Sequence, residues 1–149
     1  MAGSSYLIDS NILLRWVQPN DTDYPLVTSA LDTLVGQNAA LCYTSQNVAE
    51  FWNACTRPRD RNGYGVSPAE ADRLARTFES RLNLLPDNIL VHQEWRRLIV
   101  ENDVRGVQVH DARLAATMLV NGVHRILTFN EKDFVRYGGI EAVHPREVT

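Results

Sequence analysis

Short apolar runs of three to five residues alternate along this chain with longer stretches whose apolar side chains recur every three or four positions. Tyr6–Ile8, Ala40–Tyr43, Leu82–Leu85, Arg125–Phe129 and Ile140–Val143 read as strands. Leu26–Val35, Asn47–Cys55, His92–Glu101 and Ala112–Val120 read as amphipathic helices. Ser67-Pro68-Ala69-Glu70 opens a further helix, with Ser as N-cap, Pro at the first position and Glu completing a capping box. Helices separate most strands, and that order predicts a three-layer α/β/α sandwich around a mainly parallel central sheet. Arg57–Val66, "RPRDRNGYGV", is the punctuated polar segment; helical pattern resumes directly after it, so it reads as a loop within one domain spanning residues 1–149.

At 149 residues and 44% apolar, the chain can bury roughly 70% of its unfolded surface without disulfide staples. Cys42 and Cys55 lack metal-ligand spacing and read as reduced core thiols. No apolar run approaches the ~20 residues of a membrane span, so the expectation is a soluble, cytoplasmic protein with no membrane partner. A net charge of −3 argues against coating nucleic acid by bulk electrostatics, while leaving room for a local basic rim. Fourteen of the fifteen basic residues are Arg, which suits bidentate phosphate contacts and is equally the mark of a compositional bias.

The acidic residues interrupt this pattern in telling places. In "YLIDSNILL", Asp9 stands between a strand-like and a helix-like apolar run, at the strand end where open α/β sheets build ligand crevices. Capping of the helix beginning near Asn11 accounts for it locally. Glu50 lies on a polar stripe of its helix with Gln46, Asn47, Asn53 and Arg57, as an ordinary solvated Glu would. Asp111 precedes the Ala- and Leu-rich run "ARLAATMLVNGV", where capping again suffices. Asn130, Glu131 and Asp133 follow "RILTF" at once. A parallel sheet, however, brings all these places to one edge. Two carboxylates about 4 Å apart repel by roughly 4 kcal/mol at an effective dielectric of 20, so such a cluster must be protonated, paired or loaded with a cation. Oxygen ligands without convergent His or Cys point to Mg²⁺ or Mn²⁺. His92, His110, His124 and His144 are scattered without metal spacing, and no P-loop, GxGxxG or GxSxG is present. Trp16, Trp52 and Trp95 fall beside apolar helix positions and read as packing residues.

The order "YLIDSNILL", "SQNVAEFWNACTRP", "VHDARLAATMLVNGV" and "ILTFNEKDF" resembles the PIN-domain ribonucleases, and in particular the small VapC-like toxins of bacterial toxin–antitoxin pairs, over nearly the whole chain. The resemblance implies a PIN-like fold and a metal-dependent endoribonuclease with Asp9, Glu50 and Asp111 as catalytic acids and ligands of Mg²⁺ or Mn²⁺. The family's fourth acid falls on Asn130 here; Asn130 can supply a carbonyl oxygen, and Asp133 either replaces it or caps the short helix containing Phe134. Asn11 and Thr128 would orient Asp9 and bound water from behind, or serve local turns. Arg57, Arg59, Arg61 and Tyr64 combine cationic phosphate contacts with an aromatic platform for an unpaired RNA base, or form a solvated loop. The implied partners are an RNA substrate, a second copy in a homodimer meeting through Leu26–Val35 and Asn47–Cys55, and a cognate antitoxin whose Arg mimics the cation. The alternatives are a PIN-like RNA- or protein-binding module impaired in hydrolysis by the fourth-site change, and a structure-specific DNA nuclease.

Overall fold

The computed structural model describes residues 3–149. Among these, β1 (Ser5–Ile8), β2 (Ala40–Tyr43), β3 (Asn83–Leu84), β4 (Arg125–Leu127) and β5 (Glu141–Val143) form one sheet in the order β3-β2-β1-β4-β5. Every neighbouring pair is parallel, and each connection is therefore a crossover. The crossovers carry α1 (Ser10–Trp16), α2 (Tyr24–Gly36), α3 (Ser45–Thr56), α4 (Pro68–Glu79), α5 (Ile89–Glu101) and α6 (Val109–Val120).

Strand alternation sorts the core into two halves. In β1, Leu7 joins the cluster built on α5 and α6, whereas Ile8 joins the cluster built on α1 to α4. Cys42 and Ile126 follow Leu7, while Leu41, Tyr43 and Leu127 follow Ile8. Since Leu7 is in register with both Cys42 and Ile126, like-facing residues lie side by side, giving the three-layer sandwich that the element order predicts. Phe51 of α3 and Phe78 of α4 meet edge to face at 5.0 Å in the first half, a geometry worth about 0.5–1.5 kcal/mol beyond area burial. Cys42 and Cys55 are buried free thiols on opposite sides of the sheet. Trp16 and Trp52 pack against one half and Trp95 against the other.

The chain adds β2 and then β3 on one side of β1, and returns through α5 and α6 to add β4 and β5 on the other. Right-handed crossovers place helices on opposite faces when the direction of addition reverses. The reversal opens a crevice at the carboxyl ends of β1 and β4.

Several local expectations need correction. The third strand is Asn83–Leu84 alone, an exposed edge pair. The fourth stops at Leu127 because the Phe129 N–H leaves the ladder for the Asn11 side chain at 3.3 Å. Ser67 caps α4 by accepting from Glu70 N at 3.1 Å, but the reciprocal half of the box is missing: Glu70 turns to Arg73 instead. A complete capping box is present at α3, between Thr44 and Asn47, and Asn47 is fully buried rather than on the wet stripe. His144 is buried and caps the last 3-10 turn. Val27, Leu31 and Leu34 of α2 and Phe51 and Cys55 of α3 face the core, while Val35 at the end of α2 is exposed. Among the described residues no helix is long and apolar enough to cross a membrane.

Candidate active site

Asp9 follows β1 and is 6% exposed. Its Oδ1 accepts from Ser10 N at 2.7 Å, which caps α1 one residue earlier than the sequence suggests. Its Oδ2 accepts from the Thr128 hydroxyl at 2.8 Å and from Asn11 Nδ2 at 3.4 Å. Asp9 thus caps and faces the crevice at once; the two readings are compatible because a carboxylate has two oxygens. Thr128 is itself fixed, accepting from Asn130 N at 3.0 Å and from Asn11 Nδ2 at 3.3 Å. Together Asn11 and Thr128 lock the Asp9 rotamer, and they tie the end of β1 to the segment after β4.

Glu50 projects from α3 toward the same crevice. Gln46, one turn earlier, donates to Glu50 Oε1 at 3.4 Å and to the His110 carbonyl at 2.7 Å, linking α3 to the first turn of α6. Asp111 stands in that turn but does not cap it: the N-cap is Gln108, and no side-chain cap bond forms. Local capping is therefore the wrong account of Asp111. Asp133 ends a 3-10 turn, Glu131–Asp133, whose N-cap is Asn130 without a side-chain bond, and Phe134 lies just beyond it. Asp133 caps no helix.

Asp9, Glu50, Asp111, Asn130 and Asp133 line one cavity of about 280 Å³, together with Ser10, Asn11, Asn53 and Arg57. Their titration shows how crowded the charge is. Burial pushes Glu50 up from 4.5 to about 7, and repulsion from Asp9 and Asp111 adds to it against the Gln46 bond. Burial, with repulsion from Asp133 and Asp9, raises Asp111 from 3.8 to about 6, opposed by Arg136. Asp9 is also raised, by burial first and Asp133 last, despite its three hydrogen bonds from Thr128 and Ser10. Among the described residues, no ion pair reaches any of these four acids.

The donor set is all oxygen, and among the described residues no ion pair neutralises it, which fits a hard divalent cation. Among the described residues no three His, Cys, Asp or Glu side chains stand close enough to chelate an ion directly. Mg²⁺ retains several waters when bound, so the chemistry of the cavity fits while the direct coordination shell is not closed. A larger cavity of about 560 Å³, walled by Trp16, Tyr24, Phe78 and Arg81, contains no acid.

Of Arg57, Arg59, Arg61 and Tyr64, Arg57 is the one that lines the cavity. It donates to the Asn62 carbonyl at 3.1 Å. Gly63 makes that loop possible, because a Cβ there would stand 1.9 Å from the Arg57 carbonyl oxygen. Arg59 donates to the Tyr64 carbonyl at 3.3 Å, and Arg61 is exposed on the intervening 3-10 turn. The Tyr64 ring packs partly against the α1–α4 core and is not a free platform. Sequence reasoning read Gln46 and Asn53 only as the wet face of α3; their positions four before and three after Glu50 were the available signal.

The model of the PIN domain family matches residues 6–140. The chain belongs to the PIN domain family. Similar solved structures share its fold. VapBC2 from Rickettsia felis, bound to a DNA fragment from its promoter, aligns with a TM-score of 0.72 and 17% identity over 94% of this chain and 98% of that one. VapC20 from Mycobacterium tuberculosis, described as a sarcin–ricin-loop-cleaving toxin, aligns at 0.55 and 14% over 83% and 87%. PAE2754 from Pyrobaculum aerophilum aligns at 0.59 and 21% over 96% and 91%. No curated protein matches the chain significantly.

Proposed function

We propose that this PIN domain is a divalent-metal-dependent endoribonuclease acting as the toxin of a toxin–antitoxin pair. The observation that carries the reading is the convergence of Asp9, Glu50, Asp111 and Asp133, from separate elements, on one cavity with no cationic partner. Asp9, Glu50 and Asp111, with Asn130 or Asp133 as a fourth donor, would hold Mg²⁺ or Mn²⁺, which would supply Lewis-acid stabilisation of phosphoryl oxygens and a more acidic water. The chain's own share is positioning. Thr128 and Asn11 hold Asp9, Gln46 holds Glu50 against α6, and Arg57, Arg59 and Arg61 receive flanking phosphates, with the exposed part of Tyr64 against a base. One of the cavity's carboxylates is suited to accept the proton of the attacking water. In-line attack leaves a 5′-phosphate and a 3′-hydroxyl without a covalent enzyme intermediate. The VapBC assemblies among the similar structures support a cognate antitoxin as partner; an Arg from it would meet the unpaired acids.

Asn130 at the fourth position favours the second reading, a non-hydrolytic RNA- or protein-binding module, and Asp133 in the cavity weighs against it. Incubating purified protein with single-stranded RNA, structured RNA and DNA, each with Mg²⁺, Mn²⁺ or EDTA, tests the proposal. The expected result is EDTA-sensitive RNA cleavage abolished by Asp9→Asn. RNA binding without cleavage selects the module, preferential cleavage of structured DNA selects a DNA nuclease, and cleavage surviving Asp9→Asn exposes a contaminant.

A further inference from the structure

The arginines of this chain divide into two populations. Arg15, Arg73, Arg76, Arg97, Arg105, Arg113 and Arg125 are each held by a carboxylate. Among the described residues, Arg57, Arg59, Arg61, Arg81, Arg96, Arg136 and Arg146 and the single lysine, Lys132, have no carboxylate partner, and of these Arg57, Lys132 and Arg136 stand at or beside the acid cavity. Arg57 lines it from the α3 side. Lys132 stands on the 3-10 turn that brings Asp133 in, and walls an adjoining cavity of about 320 Å³ that shares Asn130 and Asp133 with the first. Arg136 donates from Nη2 to Gln108 Oε1 at 2.7 Å, and Gln108 is the N-cap of the helix whose first turn carries Asp111. The guanidinium is therefore anchored at the mouth of α6 by a neutral amide. It is close enough for its charge to draw Asp111 downward, without forming an ion pair with it.

A guanidinium beside a carboxylate cluster would gain by pairing with it. Held instead by Gln108, Arg136 keeps most of its five donors for something else. We propose that Arg136 and Lys132 form a second phosphate-binding rim on the α6 side of the cavity, opposite Arg57, so that an RNA strand crosses the acids between two cationic banks. The assignment rests on the nuclease reading above and adds the residues that place the strand. It explains how a chain with net charge −3 handles a polyanion: the local basic rim lies on both sides of the acids, while seven other arginines are neutralised in pairs.

The test is fluorescence anisotropy of a labelled single-stranded oligoribonucleotide with the full-length protein in EDTA, which prevents cleavage, across a range of salt concentrations. Arg136→Gln should weaken binding about three- to tenfold and make the log–log salt dependence shallower by ~0.7, the value for one phosphate contact on a single strand. Lys132→Gln should act in the same direction, Arg136→Lys should recover part of the slope, and Arg81→Gln, whose side chain lies over Trp16, should change neither quantity. Mn²⁺ affinity of Arg136→Gln should not fall, which separates strand placement from damage to the acids. If wild-type protein binds RNA and Arg136→Gln matches it in affinity and slope, the second rim is overturned and the nuclease reading stands. If wild-type protein neither binds nor cleaves RNA, the nuclease reading falls and takes the rim with it.

Discussion

Replacing Glu50 with Gln should stabilise the metal-free protein while removing its response to metal. Glu50 titrates near 7 instead of 4.5 because it is half-buried and faces Asp9 and Asp111. A carboxyl group whose folded-state pKa is raised penalises the fold once it must ionise. The penalty is absent below the unfolded value, develops between 4.5 and about 7, and is full at about pH 8. At about 1.4 kcal/mol per pH unit, that interval corresponds to at most ~3.5 kcal/mol; solvent screening of a part-exposed group brings the expectation to roughly 1–2 kcal/mol. Urea unfolding in EDTA should therefore show the wild type losing stability between about pH 5 and about pH 8. Glu50→Gln should lose less over that range and be the more stable at the upper end. Saturating Mn²⁺ should raise wild-type stability by about 2–3 kcal/mol at roughly a hundredfold excess over Kd, and the variant's by much less. A Glu50→Gln protein no more stable than wild type at alkaline pH in EDTA would show that Glu50 is not under electrostatic stress, and the metal reading would lose its physical basis.

Thr128→Val removes the 2.8 Å donor to Asp9 Oδ2 at nearly constant volume; RNA cleavage and Mn²⁺ affinity should fall about 10- to 100-fold, measured by turnover and by calorimetry, with the fold retained by circular dichroism. Asn47→Ala takes the Oδ1 acceptor from Thr44 N and Thr44 Oγ1, both at 2.9 Å in a buried setting; thermal denaturation should show a loss of about 1–3 kcal/mol. Phe51→Ala empties a fully buried site against Phe78 and should cost about 3–5 kcal/mol, read from the urea midpoint at unchanged slope.

Much of the architecture was legible because its cause is local. Apolar residues at alternate positions in β1, β2 and β4 are what split the core into two halves, and helical periodicity marks α2 through α6 to within three residues at each start. Asp9 and Asn130 to Asp133 are visible as polar interruptions after apolar runs. The failures share a cause too. Asp111 looks like a cap and Asn47 like a wet-face residue, because periodicity does not say which of several nearby polar groups takes a role. Gln108 takes the cap position of α6, and Thr44 draws Asn47 inward.

By itself, then, the sequence determined the secondary elements, their layering and the acids' places at strand ends and helix starts, since periodicity and turn chemistry act over a few residues. Only the tertiary structure decided which acids share a cavity, that burial drives Glu50 toward 7, and that Arg136 rests on Gln108 rather than on an acid. Electrostatics and desolvation sum over everything nearby in space, and a one-dimensional pattern does not record which distant segments become neighbours.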